Sequence, residues 1–175
     1  MERRPEGPPR LLYTVRMALT LTSPAFGNGE LIPSEHTCDG ANTSPELAFS
    51  GVPEGTVSLA IIMDDPDIPE EVKKMRGIEV FDHWVLFNIS PNALGITEGG
   101  TIGTPGVNGV GKTGYTGPCP PREYEPKEHR YFFRLYALDA LLELPEESRK
   151  SEVLEAMEGH ILAAAELMGR YSRAS

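Results

Sequence analysis

The sequence lacks the features that identify several large protein classes. It has no apolar run approaching the roughly 20 residues of a membrane-spanning helix. The apolar part of its first 21 residues is interrupted by polar side chains, so a secretory signal is not predicted. Only 16 lysines and arginines oppose 26 aspartates and glutamates, a formal net charge of −10 that argues against binding nucleic acid or an anionic membrane. We therefore expect a cytoplasmic protein without integral membrane association.

Cysteine is also scarce. Cys38 and Cys119 are the only two cysteines in 175 residues, which is too few for a disulfide scaffold. The favoured interpretation is two reduced thiols, and the alternative is a single long-range disulfide. The sequence contains no HExxH or GxSxG motif, so it shows no signature of a zinc protease or of a serine hydrolase, and we expect no cofactor.

Glycine and proline, in contrast, are abundant. The 18 glycines and 16 prolines lie between apolar segments, which is typical of a turn-rich β protein rather than of disorder. We predict strands at residues 15–21, 47–49, 56–63, 80–89 and 129–138. Residues 70–77 are charged and fit either a turn of helix or a solvated loop, and residues 91–111 form a long glycine-rich loop.

The C-terminal part of the chain shows a helical pattern. Apolar residues recur with a 3.6-residue period over residues 151–170, which predicts a helix that includes Gly159 as a kink or a close contact. The chain shows no internal repeat and no sign of a second domain. We therefore predict a flexible N-terminal arm, residues 1–16, followed by one domain at residues 17–175, with Met17 as an alternative start to Met1.

Five polar residues could carry chemistry. They are Asp65, Asp67, His83, His129 and Tyr131. The two aspartates directly follow a buried strand, and strand alternation places His83 with Val85 and Phe87, opposite Trp84. Each residue alone has an ordinary structural explanation, as a turn, a hydrogen-bonded core histidine or a buried ring. They form a site only if they converge in space.

The segment at residues 114–138 is the strongest indication of such a site. Its glycines and prolines at 114–121 exclude helix and interior strand, and the strand that follows presents His129 and Tyr131 on one face. Backbone N–H groups beside a titratable ring are suited to holding a small anion. Asp65 would accept a proton from one of the two imidazoles and orient it, or bind the ammonium group of a zwitterion.

Three motifs resemble the phosphatidylethanolamine-binding protein family, and more closely its bacterial and archaeal Raf kinase inhibitor-like branch. They are DDPDIP at residues 64–69, DHWVLFNI at 82–89 and GYTGPCPP followed by HRYFFRLYALD within 114–139. The segments IPSEHTCDGANTSPEL and AMEGHILAAAEL are similar to that branch as well. The resemblance covers roughly residues 17–171 with order and spacing intact.

The resemblance implies a fold, a site and a function. The fold is a mainly β, Greek-key antiparallel β-sandwich with a C-terminal helix and small peripheral helical segments. The implied ligand-binding residues are Asp65, Asp67, Pro69, His83, Gly117, Pro118, Pro120, His129 and Tyr131. Ile68 stands where the family often has alanine, which predicts a narrower mouth.

The expected function is non-enzymatic binding of a small anionic or phosphoryl-bearing ligand. A kinase or protease partner and a homodimer are further expectations at the level of the family. The alternative is a metal-dependent or carboxylate- and histidine-dependent hydrolase or lyase that uses Asp65, Asp67, His83 and His129 on a phosphorylated small molecule. A third interpretation is an interaction protein with a vestigial cavity.

Overall fold

A computed structural model describes residues 17–174 of the chain. The predicted N-terminal arm, residues 1–16, lies outside the described residues. In the described part, none of the helices has the length and hydropathy needed to cross a bilayer.

Two antiparallel sheets face each other across the main core. The smaller sheet has the order β1-β2-β5 and consists of β1 (Thr20–Thr22), β2 (Leu47–Ser50) and β5 (Gly95–Ile96). The larger sheet has the order β6-β4-β3-β7-β8 and consists of β3 (Ser58–Asp65), β4 (Phe81–Ile89), β6 (Thr104–Pro105), β7 (Glu128–Leu138) and β8 (Ile161–Ser172). The prediction of a mainly β, two-sheet antiparallel fold is confirmed.

Every residue of β3 is buried, because this strand is central in the larger sheet and is covered on both faces. On its inner face Leu59, Ile61 and Met63 pack in the core between the two sheets. On its outer face Ala60 and Ile62 pack in a second cluster that also contains Val153 and Met157. The β3 backbone is therefore fixed from two sides as it runs into Asp65.

Within residues 17–174, two α-helices flank the sheets, and a short 3-10 helix spans Ser34–His36. Residues 70–76 form helix α1 (Glu70–Arg76), so the helical interpretation of this charged segment is correct and the loop interpretation is wrong. The helix ends at Gly77, which has the left-handed conformation. Helix α2 (Lys150–Met157) buries Val153 and Met157.

The predicted helix over residues 151–170 is correct for its first two turns and wrong beyond them. Gly159 has a φ of 78°, a left-handed conformation that ends the helical path. The chain then pairs with β7 from Ile161, opposite Leu138, to Ser172, opposite Glu128. The open edge of β7 offers a full row of backbone hydrogen bonds, which outweighs the helical propensity of the alanine-rich run.

A β-bulge near the start of β4 changes which way His83 points. Met63 pairs with Trp84, but the next residue, Asp64, pairs with Asp82, so His83 is an extra residue on β4. His83 and Trp84 therefore both turn toward the space between the sheets. The prediction that they lie on opposite faces is wrong, because alternation is interrupted at a bulge.

Candidate functional site

A cavity of about 180 Å³ opens where β3, β4 and β7 carry their polar residues. Its lining includes five of the nine predicted site residues, namely Asp65, Pro69, His83, Gly117 and His129. Asp65, His83 and His129 come together because β4 and β7 both pair with β3. Of the five polar residues singled out in the sequence, the cavity therefore brings together three, namely Asp65, His83 and His129.

Asp65 and His129 form a buried pair at the inner end of the cavity. The imidazole Nδ1 lies 2.7 Å from the Asp65 Oδ2 atom, and the two side chains are 1% and 4% exposed for His129 and Asp65, respectively. The other ring nitrogen, Nε2, donates to the carbonyl oxygen of Pro126 at 3.1 Å, so it carries a proton. The second Asp65 oxygen accepts the backbone N–H of Asp67 at 2.8 Å. Both nitrogens of His129 are thus engaged within the protein.

His83 presents one free nitrogen to the cavity. Its Nδ1 donates to the carbonyl oxygen of Thr116 at 2.6 Å, and its Nε2 has no hydrogen-bond partner within residues 17–174. Burial lowers the pKa of His83 below its ordinary value of 6.5, against the smaller opposing effects of the Thr116 hydrogen bond and of Asp65, Asp64 and Asp82. The ring is therefore neutral at pH 7, with Nε2 as a hydrogen-bond acceptor.

Tyr131 lies behind the two imidazoles rather than on the cavity wall. Its ring meets His83 edge-on at a centroid distance of 5.2 Å and stacks near His129 at 6.3 Å. The ring is fully buried, and its hydroxyl has no hydrogen-bond partner in the described part of the chain. Burial raises the pKa of Tyr131 far above its usual range, so the hydroxyl stays protonated. Tyr131 supports both histidines by packing.

The glycine- and proline-rich loop packs tightly against residues 36–42. The Gly117 N–H donates to the Asn42 side chain at 2.7 Å, and the Pro118 carbonyl accepts the backbone N–H of Cys38 at 3.1 Å. A Cβ atom at position 117 would overlap the carbonyl oxygen of His36, so glycine is required there for close approach. Pro118 and Pro120 are buried but do not contribute to the cavity lining.

Asp67 points away from the cavity. Its carboxylate binds the Arg130 guanidinium through two contacts of 2.8 and 2.9 Å and also accepts the backbone N–H of Arg130. The hydrogen bond from Arg130 lowers the pKa of Asp67. Asp67 is therefore placed to stabilise the turn after β3 and the start of β7.

Sequence reasoning missed several residues of the wall. The additional lining residues are Val72, Arg76, Phe81, Val110, Thr116, Cys119 and Pro121, together with Ile68, which was predicted to narrow the mouth. Val72 and Arg76 lie four residues apart on α1 and so share one face of the helix. That spacing was visible in the sequence, but it has meaning only once the segment is known to be helical.

The wall also contains a disulfide. Cys119 is bonded to Cys38, 81 residues earlier in the chain, with a Cα–Cα distance of 5.4 Å. The favoured expectation of two reduced thiols is thus wrong, and the alternative of one long-range disulfide is correct. Both cysteines are exposed, because the bond ties two surface loops together.

Comparison with known proteins agrees with this architecture. The sequence profile of the family described as "Phosphatidylethanolamine-binding protein" matches residues 22–172. The chain belongs to the phosphatidylethanolamine-binding protein family. It is 46% identical to the UPF0098 protein of Methanothermobacter thermautotrophicus over an alignment that covers 89% of this chain and 99% of that protein.

Solved structures of family members share the fold. The crystal structure of a family homologue from Chlamydia trachomatis superimposes with a TM-score of 0.82 at 43% identity, covering 90% of this chain and 99% of that one. The structure of YbcL from E. coli gives a TM-score of 0.78 at 29% identity, with 90% and 100% coverage. The resemblance to the bacterial and archaeal branch of the phosphatidylethanolamine-binding protein family is confirmed.

The arrangement of acids and histidines bears on the enzyme alternative. Within residues 17–174, no group of three or more histidine, cysteine, aspartate or glutamate side chains is arranged to hold a metal ion. Asp65 and His129 bind each other, and Asp67 binds Arg130. The four residues proposed for metal-dependent chemistry therefore do not form a joint ligand set in this part of the chain.

Proposed function

We propose that this member of the phosphatidylethanolamine-binding protein family is a non-enzymatic binding protein for a small ligand that carries an anionic, phosphoryl-like group. The observation that carries the proposal is the small cavity lined by His83 and Arg76. Asp65 and His129 form a buried ion pair at its inner end. Such a built cavity with a few polar groups and apolar walls is typical of a ligand site.

The size of the cavity limits the ligand. Because pockets for drug-sized ligands typically have volumes of about 300–1,000 Å³, a cavity of about 180 Å³ suits a smaller headgroup or metabolite. Ile68, Val72 and Val110 make much of the wall apolar, so the polar contacts are few and directional.

Calorimetric titration with inorganic phosphate and with methyl phosphate tests the proposal. A Val72→Trp variant should fill the cavity from the partly exposed face of α1 and weaken binding at least about 10-fold. The matched control is Met75→Trp on the same helix, since Met75 is 74% exposed and does not line the cavity. No heat from the folded wild type, or equal binding by wild type and Val72→Trp, would overturn the proposal.

Partners and location also belong to this proposal. A kinase or protease partner and a homodimer remain predictions. Family membership supports partners of these kinds but identifies no particular kinase, protease or dimer interface. Sedimentation velocity over a range of protein concentrations tests the homodimer. A cytoplasmic location also remains a prediction, and the exposed disulfide weighs against a strongly reducing compartment.

A further inference from the structure

A second pocket, of about 290 Å³, shares no lining residue with the cavity at the end of β3. It is lined by residues 42–44, residues 99–101, Trp84 and Tyr115, and we call it the Trp84 pocket. None of these residues is an acid, a lysine, an arginine or a histidine. Its chemistry is therefore that of neutral hydrogen-bonding groups, unlike that of the cavity with its ion pair and guanidinium.

Trp84 contributes an unused hydrogen-bond donor to this pocket. The residue is 1% exposed, and its indole Nε1 has no hydrogen-bond partner within residues 17–174. Tyr115 contacts the indole edge-on at a centroid distance of 5.4 Å, but its hydroxyl donates to the carbonyl oxygen of His36 at 2.7 Å. Because an indole N–H can only donate, and a buried donor without an acceptor destabilises a fold, this group calls for an oxygen from outside the chain.

Asn42 adds a second donor, whose orientation is fixed. Its side-chain oxygen accepts the backbone N–H of Gly117 at 2.7 Å, which leaves the amide nitrogen without a partner in the described part of the chain. The hydroxyl groups of Ser44 and Thr101 also form no hydrogen bond to residues of that part. A ligand in the pocket would thus meet two N–H donors and hydroxyl groups that can donate or accept.

The two loops that form the pocket are held together by backbone contacts. The Gly99 N–H donates to the carbonyl oxygen of Ser44 at 3.0 Å, and the His36 ring binds the carbonyl oxygen of Thr43 at 2.9 Å. Gly99 has a φ of 66°, a conformation that favours glycine. The pocket is therefore preformed, which reduces the entropy that a ligand loses the protein on binding.

We propose that the Trp84 pocket binds a neutral, polyhydroxylated small molecule of about monosaccharide size, with one of its oxygens accepting the Trp84 N–H. A charged ligand would find no counter-charge among the lining residues, and the net charge of −10 further disfavours an anion. A volume of about 290 Å³ is just below the usual range of about 300–1,000 Å³ for drug-sized ligands. This site goes beyond the proposed function and does not depend on it.

Nuclear magnetic resonance of the indole N–H tests the proposal directly. Trp84 is the sole tryptophan of the chain, so the ¹⁵N-labelled protein gives a single indole resonance. Glucose and glycerol are the probes, and glucose should shift this resonance saturably with a Kd on the order of 1 mM, because the contacts are a few neutral hydrogen bonds. Thr101→Val should weaken glucose binding about 5-fold. The matched control Thr22→Val, at an exposed position of β1 outside the pocket, should leave the Kd unchanged.

Each other outcome overturns a defined part of the proposal. No saturable shift with glucose or glycerol, up to about 100 mM, would show that the pocket takes up only water. Equal Kd values for Thr101→Val and Thr22→Val would remove Thr101 from the site. Competition between glucose and inorganic phosphate would show that the pocket is not a separate site. Failure of phosphate to bind would overturn the proposed function alone, since the glucose titration is measured without it.

Discussion

Reduction of the disulfide between Cys38 and Cys119 should lower thermal stability by a predictable amount. The bond closes a loop of 81 residues. Closing a loop of that length removes unfolded-state entropy worth about 4.5 kcal/mol at 25 °C. For a chain of this length each kcal/mol shifts the Tm by about 2–4 °C, so we expect a decrease of about 9–18 °C.

The assay is a thermal melt with and without reductant. Because the chain has two cysteines and both are exposed, the reductant changes a single bond, and intact mass shows when two hydrogens have been added. The Cys38→Ser, Cys119→Ser double variant should have the same Tm as the reduced wild type, and reductant should not change that Tm. Equal Tm values for the fully reduced and the oxidised wild type would refute the reasoning.

Three further predictions concern residues that line the cavity. His129→Ala should lower the free energy of unfolding, measured in urea, by about 3–5 kcal/mol, because it leaves Asp65 buried without its partner. Adding Asp65→Asn to this variant should recover part of the loss. Additive losses for the two substitutions would contradict the pairing. The free energy of unfolding should fall as the pH decreases below 6.5, because His83 is protonated at a higher pH in the unfolded chain than in the folded chain. His83→Gln should make the free energy of unfolding less dependent on pH between about pH 6.5 and 5. An equal pH dependence of wild type and variant would contradict the burial argument. Gly117→Ala should cost about 1–3 kcal/mol in the same urea assay, because the new Cβ overlaps the His36 carbonyl oxygen, and wild-type stability would show that the loop has room.

Much of the fold could be predicted because local pattern and tertiary environment agree. The run at residues 56–63 is aliphatic, β-branched and uncharged, and it forms β3, a strand buried on both faces. The alternation at residues 129–138 forms β7, with Tyr131 and Phe133 in the core. The motifs placed Asp65, His83 and His129 together because their strands are neighbours in one sheet.

The remaining features depend on contacts that a sequence pattern does not express. The alanines at 163–165 fit a helix or a strand equally well, and the open edge of β7 decides in favour of β8. The bulge that turns His83 inward depends on its pairing with β3. Arg76 joins the wall only through the register of α1, and the disulfide depends on two loops meeting across 81 residues.

The helix α1 makes one wall of the cavity different from the others. The walls formed by β3, β4 and β7 are continuous with the core, and the loop at 117–121 is cross-linked, whereas all seven residues of α1 are partly or fully exposed. Substitutions on α1 can therefore alter what the cavity accepts at little cost in folding free energy. Under the proposed function, exchange of this helix between relatives should change the ligand preference and leave the β-sheet scaffold intact.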